Sequence, residues 1–188
     1  MLIMKKIKAS ILALLVFIPV STVNADRLSS DNFNAQSRLA WSYVSDQVMG
    51  GVSEGRVTYI DENGESFARM TGLVSTENNG GFIQIRRAVA KESIGSAAGV
   101  YLKVRGNSQN YFIHLRTSGT VLPWQYYQAD FETSAEWQVV RLPFAAFERS
   151  GSWLRQLIKP SSIRSIGIVA FGKDHQADID IAEIGFYD

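Results

Sequence analysis

The 188-residue chain has no cysteine, four prolines and only two histidines. Without a thiol there is no disulfide, no thiolate metal ligand and no cysteine nucleophile. His114 and His175 stand far apart and outside any HxH or HExxH spacing, so no metal is assigned from them. Charge of one sign is scarce as well. The net charge is +1 without a long basic run, which argues against a nucleic-acid partner.

One apolar run stands out. Lys5, Lys6 and Lys8 precede the ten residues Ile11–Val20, and Val23-Asn24-Ala25 supplies residues that a signal peptidase reads. A membrane span needs about 20 apolar residues. The stretch from Ile7 to Val23 approaches that only by including Lys8, Ser10, Pro19, Ser21 and Thr22. The expectation is a secretory signal peptide over residues 1–25, removed to leave one domain over residues 26–188 with no membrane anchor. Loss of three lysines and no acid takes the net charge from +1 to −2. With no cysteine to acylate, the product is not a lipoprotein. The expected location is the bacterial periplasm.

Beyond residue 25, short β-branched and aromatic runs alternate with glycine breakers, the pattern of a β-sandwich or barrel. Strands are predicted near 55–60, 66–73, 81–87, 99–105, 111–117, 126–132, 138–143, 165–171 and 179–187, with a hairpin turn at Asn63-Gly64. Short helical turns are predicted near 144–147 and 153–158. The absence of βαβ alternation indicates antiparallel pairing.

Three strands have two unlike faces. Ile83 and Ile85 oppose Gln84 and Arg86; Tyr111, Ile113 and Leu115 oppose Phe112, His114 and Arg116; Tyr127, Ala129 and Phe131 oppose Tyr126, Gln128 and Asp130. If the strands are neighbours, Gln84, Arg86, His114, Arg116, Tyr126 and Gln128 form a groove suited to a ligand with hydroxyls and an apolar ring face, such as a sugar. Trp124, Asn78 and Asn79 would stand at its rim. The competing reading is a plain solvated sheet face.

Two glycine-rich segments, DQVMGGVSEG (46–55) and LVSTENNGGFIQIR (73–86), lack the features of a phosphate loop. Together with Trp41, GVYLKVRG, YFIHLRT, YYQADF, WQVVRLPFAAF and the closing IGIVAFGKDHQADIDIAEIGFYD, they resemble the complex I intermediate-associated protein family across residues 33–188. The resemblance implies a galactose-binding-like jelly roll and a chaperone-type role in assembling respiratory complex I. The secretion signal and Ala177, where glycine is expected, depart from the family pattern.

Asp46, Gly50, Gly51, Glu77, Gly80 and Gly81 make up the structural core of the two segments. Asp46 and Glu77 sit beside turns where a carboxylate accepts backbone N–H bonds. A hydrolase acting on envelope glycans would instead need two carboxyls about 5–10 Å apart, with Asp46, Glu77, Asp130 and Glu132 as candidates. No cofactor is assigned; a structural Ca²⁺ at Asp61-Glu62-Asn63 or at 174–180 stays open. Trp41 and Trp137 are expected in the core, and His175 in a solvated polar loop. The functional expectation is an exported, non-catalytic binding domain for carbohydrate or an envelope protein, with an assembly factor as the alternative and a glycan hydrolase third.

Overall fold

The computed structural model describes residues 27–90 and 94–188. The expected signal peptide lies outside the described residues. Twelve strands are present: β1 (Arg27–Asp31), β2 (Ser42–Ser45), β3 (Glu54–Glu62), β4 (Glu65–Val74), β5 (Phe82–Ala88), β6 (Gly99–Gly106), β7 (Asn110–Thr117), β8 (Tyr127–Glu132), β9 (Gln138–Pro143), β10 (Glu148–Arg149), β11 (Ile163–Phe171) and β12 (His175–Tyr187). They form two six-stranded antiparallel sheets. One runs β3-β4-β12-β6-β9 with β1 also on β12; the other runs β10-β8-β7-β11-β5-β2. The fold is an all-β antiparallel sandwich, and each of the nine strands predicted from sequence is present. The three additional strands, β1, β2 and β10, are five residues or shorter. The helical turn expected near 153–158 is a run of turns and bends, whereas Phe144–Ala146 is a single 3₁₀ turn.

Alternation places one face of each strand in the core. Ile83, Ile85, Ile113, Leu115, Ile166 and Ile168 from one sheet meet Met70, Leu102, Val104, Ile179, Ile181 and Phe186 from the other. A fully buried aliphatic side chain contributes about 1.5–3 kcal/mol. β12 needs one irregularity to do this. Its apolar residues fall at 179 and 181, then at 184 and 186, and Ala182 is an extra residue opposite β6. This bulge reverses the alternation midway, so both halves of IDIAEIGF point inward. The Asn63-Gly64 turn has φ of +53° and +81°, the left-handed pair of a tight hairpin.

The two glycine-rich segments carry the crossings between sheets: residues 46–53 lead from β2 to β3 and residues 75–81 from β4 to β5. Asp46 is fully buried between them. It accepts hydrogen bonds from Ser53 N at 2.9 Å, the Ser53 hydroxyl at 2.5 Å, Gly81 N at 2.5 Å and Phe82 N at 3.2 Å. A Cβ at Gly51 or Gly80 would overlap the Asp46 carboxyl. Gly50 and Gly81 take φ of +92° and +123°. Glu77 differs from the expectation made for it: its side chain is exposed and holds no hydrogen bond among the described residues.

Burial pushes the Asp46 carboxyl up, but the hydrogen bonds from Gly81, Ser53 and Phe82 outweigh it and hold the group below the ordinary carboxylate value. A depressed folded-state pKa means stability that is complete above the unfolded value near 4 and lost as pH falls through the folded one. Asp46→Ala strands three buried N–H donors and should cost about 3 kcal/mol, a fall in Tm of roughly 10 °C. Asp46→Asn should also be destabilised and should lose the Asp46 share of the acid limb. Chemical denaturation from pH 7 to pH 3 checks both.

Candidate functional site

The outer face of the β10-β8-β7-β11-β5-β2 sheet holds most of the residues that alternation selected. Cross-strand register aligns Gln128, His114, Gly167, Arg86 and Ser42 in one row, and Asp130, Phe112, Val169, Gln84 and Val44 in the next. β7 and β8 are neighbours, but β5 is not their neighbour: β11 lies between β7 and β5. β11 therefore supplies the middle of the face through Ser165, Gly167, Val169 and Phe171. Gly167, between His114 and Arg86 in the row, lets the Gln84 side chain lie close over β11: a Cβ there would be 3.1 Å from Gln84 Oε1.

Four rings pack on this face. His114 stacks on Tyr126 with centroids 4.1 Å apart and planes at 10°. Phe171 meets His114 edge-on at 5.6 Å, Phe112 at 5.8 Å and Tyr126 at 6.4 Å. Such pairs contribute about 0.5–1.5 kcal/mol each beyond area burial. Sequence reasoning did not select Phe171. The sequence signal for it is the rising size of one parity on β11: Ser165, Gly167, Val169, Phe171.

Burial pushes the His114 imidazole down to about 4, and its side-chain hydrogen-bonding interaction with Gln128 acts in the opposite direction. The ring is therefore neutral at physiological pH. His114 Nε2 and Gln128 Oε1 are buried and make no hydrogen bond of normal geometry. Leaving such an atom unpaired costs about 1–3 kcal/mol. Both atoms are closed to solvent in this structure, so a ligand hydroxyl meets them only once a neighbouring side chain moves.

Arg116 has a different task from the one alternation suggests. Its guanidinium donates to Thr120 O at 3.1 Å, Leu122 O at 3.0 Å and Pro123 O at 3.3 Å. It braces the β7–β8 loop, which carries Trp124, 66% exposed at that end of the face. Asn78 and Asn79, exposed and left-handed with φ of +56° and +58°, lie on the turn before β5, at the opposite end. Gln84 is half-buried and Arg86 exposed.

Other expectations are corrected. Trp137 is half-buried on the outside of the other sheet, 4.6 Å from Arg105, whereas Trp41 is in the core and donates to Asp31 at 3.0 Å. His175 opens β12 instead of lying in a loop, and its Nδ1 faces Lys173 O at 2.8 Å. Asp46 has no surface with which to meet a substrate; Asp130 and Glu132 are exposed on β8. Asp61 holds the Ser66 hydroxyl, Asp174 holds Thr76, and Asp180 pairs with Arg69 and Arg105. Among the described residues, no group of three or more carboxylates or histidines is placed to hold a metal ion. No helix among them is long and apolar enough to cross a membrane.

Two predictions follow from the site's own bonds. Arg116→Ala should lower Tm by roughly 5 °C and open residues 118–125 to limited proteolysis, because three loop carbonyls lose their donor. For His114, the unfolded value near 6.5 lies above the folded one, so the unfolded chain binds the proton first as pH falls. Stability should be complete above about pH 6.5 and decline towards pH 4, and His114→Gln should flatten that span in urea titrations.

Solved structures similar to this one include carbohydrate-binding modules. A family 11 module from Clostridium thermocellum, in complex with a β-1,3-1,4-mixed-linked tetrasaccharide, aligns with a TM-score of 0.68 at 11% identity, over 84% of this chain and 92% of that one. The family 11 module of a cellulosomal cellulase of Clostridium thermocellum aligns with a TM-score of 0.67 at 12% identity, over 89% and 97%. A family 30 module aligns at 0.54 and 11%, over 78% and 82%. At these identities the likeness is one of fold, a β-sandwich jelly roll. Comparison with curated protein sequences returns no significant match. The sequence model of complex I intermediate-associated protein 30 (CIA30) matches residues 31–181, and the chain belongs to that family.

Proposed function

We infer that this chain is an exported, non-catalytic domain that binds neutral carbohydrate on the outer face of the β10-β8-β7-β11-β5-β2 sheet. One observation carries the reading: a stacked ring pair, His114 and Tyr126, stands on an outer sheet face beside two polar atoms, His114 Nε2 and Gln128 Oε1, that make no hydrogen bond of normal geometry. A sugar presents the complementary groups, an apolar C–H face for the rings and hydroxyls for the imidazole and amide. The fold shared with carbohydrate-binding modules supports this reading, and the pattern of residues 1–25 supports export to the periplasm. Arg86 and Gln84 extend the polar side of the surface, and Trp124 adds a ring at one end. The family match favours a second reading, an assembly factor for a membrane complex. That reading requires a protein partner and no small-molecule response.

Titration with a panel of soluble neutral oligosaccharides, β-1,3-1,4-linked tetrasaccharide included, distinguishes the two. Calorimetry should show binding, and NMR shifts should centre on His114, Tyr126 and Gln128. Tyr126→Ala should weaken it about tenfold, as expected for the loss of one stacking surface of roughly 1.4 kcal/mol. The reading fails if no glycan in the panel moves these residues, or if Tyr126→Ala combined with Gln128→Ala binds like the parent. A co-purifying membrane complex in the absence of any glycan response would establish the second reading instead.

A further inference from the structure

A cleft of about 600 Å³ opens at the end of the sandwich where β7 finishes and β11 begins, away from the sheet face. One wall is Thr117–Gly119 and the other is the segment from Trp153 to Arg164. Arg155, Lys159 and Arg164 line it, and no aspartate or glutamate does. The sequence shows the same bias: from Arg149 to Lys173 there are five basic residues and no acidic one, in a chain whose net charge is only +1.

The wall is held in place by groups that take no part in the charge. Leu154 and Ile158 are buried in the core. Tyr127 donates its hydroxyl to Arg155 O at 2.9 Å, and Arg149 donates to Ser152 O at 3.0 Å and Leu154 O at 2.7 Å. Ser118 N donates to Ser162 O at 2.8 Å, joining the two walls. Arg164 donates to Ser161 O and Ile163 O, at 3.0 and 2.8 Å. By contrast, the side chains of Arg155 and Lys159 make no hydrogen bond or ion pair among the described residues. Trp153, 94% exposed, and Leu157, 69% exposed, line the same cleft.

Cations gathered in one cleft without a carboxylate raise each other's electrostatic energy, and protein walls focus the resulting field. An anion relieves it. Guanidinium matches a planar or tetrahedral oxyanion through paired N–H donors, and ammonium adds a point charge. We propose that this cleft binds a compact oxyanion, a phosphate, sulfate or carboxylate, carried on a ligand whose apolar body rests on Trp153 and Leu157. None of the cleft's lining residues is one of the side chains of the candidate face, so the proposal does not rest on the neutral-glycan reading.

The test is an NMR titration of the chain with inorganic phosphate, sulfate and glucuronate, each against chloride at matched ionic strength. Shifts should cluster at residues 153–164 and 117–119 and leave His114 and Tyr126 unmoved. Arg155→Gln with Lys159→Gln should weaken binding at least tenfold without lowering Tm, because neither side chain holds a structural contact. Glucose 6-phosphate and vesicles containing phosphatidylglycerol then separate a soluble ligand from a lipid headgroup, and a response to either supports the oxyanion site. The proposal is overturned if all the anions leave residues 153–164 at the chloride baseline, or if the double variant responds like the parent.

Discussion

The Asp46 carboxylate joins the two crossings that lead from one sheet to the other. β2 and β5 belong to the sheet that carries the candidate face, and β3 and β4 belong to the opposite sheet. A buried ionised carboxylate is costly unless its oxygens are fully paired. Here four donors from Ser53, Gly81 and Phe82 meet that demand. The Ser53 hydroxyl also accepts from Ser75 N at 3.0 Å, so the two crossings are bound to each other as well as to Asp46. The glycines follow from this arrangement. Gly51 and Gly80 let backbone approach the carboxyl within a space that no side chain would leave open. The start of β5 is fixed by the same contact, and with it the position of Gln84 and Arg86 on the outer face.

The two outer faces of the sandwich treat their polar groups differently. On the β4-β12-β6 side, Asp180 takes Arg69 at 2.6 and 2.7 Å and Arg105 at 2.8 Å, while Arg69 and Arg105 cover Phe67 and Trp137 covers Arg105. Lys103 pairs with Glu65 beside them. That surface is closed by its own ion pairs. On the β8-β7-β11-β5 side, His114 Nε2 and Gln128 Oε1 make no hydrogen bond of normal geometry beside the ring cluster. An unpaired buried acceptor or donor is unfavourable in the free protein.

Much of this was legible in the residues, because period-two alternation is a direct consequence of strand geometry. Tyr111-Phe112-Ile113-His114 shows its two faces without a structure. The short edge strands were not legible: β10 has two residues, and its pairing with Gln128 and Tyr127 depends on the tertiary approach of the 148–149 segment. β11 was visible as a strand but not as the centre of the site. Its central position buries Val169 as well as Ile168, so the run SIGIVAF shows no polar face. Arg116 was placed on the correct face, yet its role depends on three backbone carbonyls of the following loop, and carbonyls carry no sequence signature. The bulge at Ala182 is a similar case, where a break in alternation becomes intelligible only once β6 is seen opposite it.

The basic side chains show where structural need ends and binding capacity begins. Arg69 and Arg105 neutralise Asp180, Arg87 neutralises Asp31, and Arg116, Arg149 and Arg164 donate to backbone carbonyls. Each of these has an acceptor that the fold supplies. Arg86 on the sheet face, and Arg155 and Lys159 in the end cleft, have no such acceptor among the described residues. Long cationic side chains without a partner lose little rotamer freedom in the free protein. A ligand that orders them must supply that cost through direct hydrogen bonds, which favours an oxyanion over a neutral hydroxyl at Arg155 and Lys159. Around His114 and Tyr126 the rings are already ordered by mutual packing, so the same cost is small and weaker C–H and hydroxyl contacts suffice. The two surfaces thus differ in kind, one built of mutually ordered rings and the other of cations without a structural acceptor.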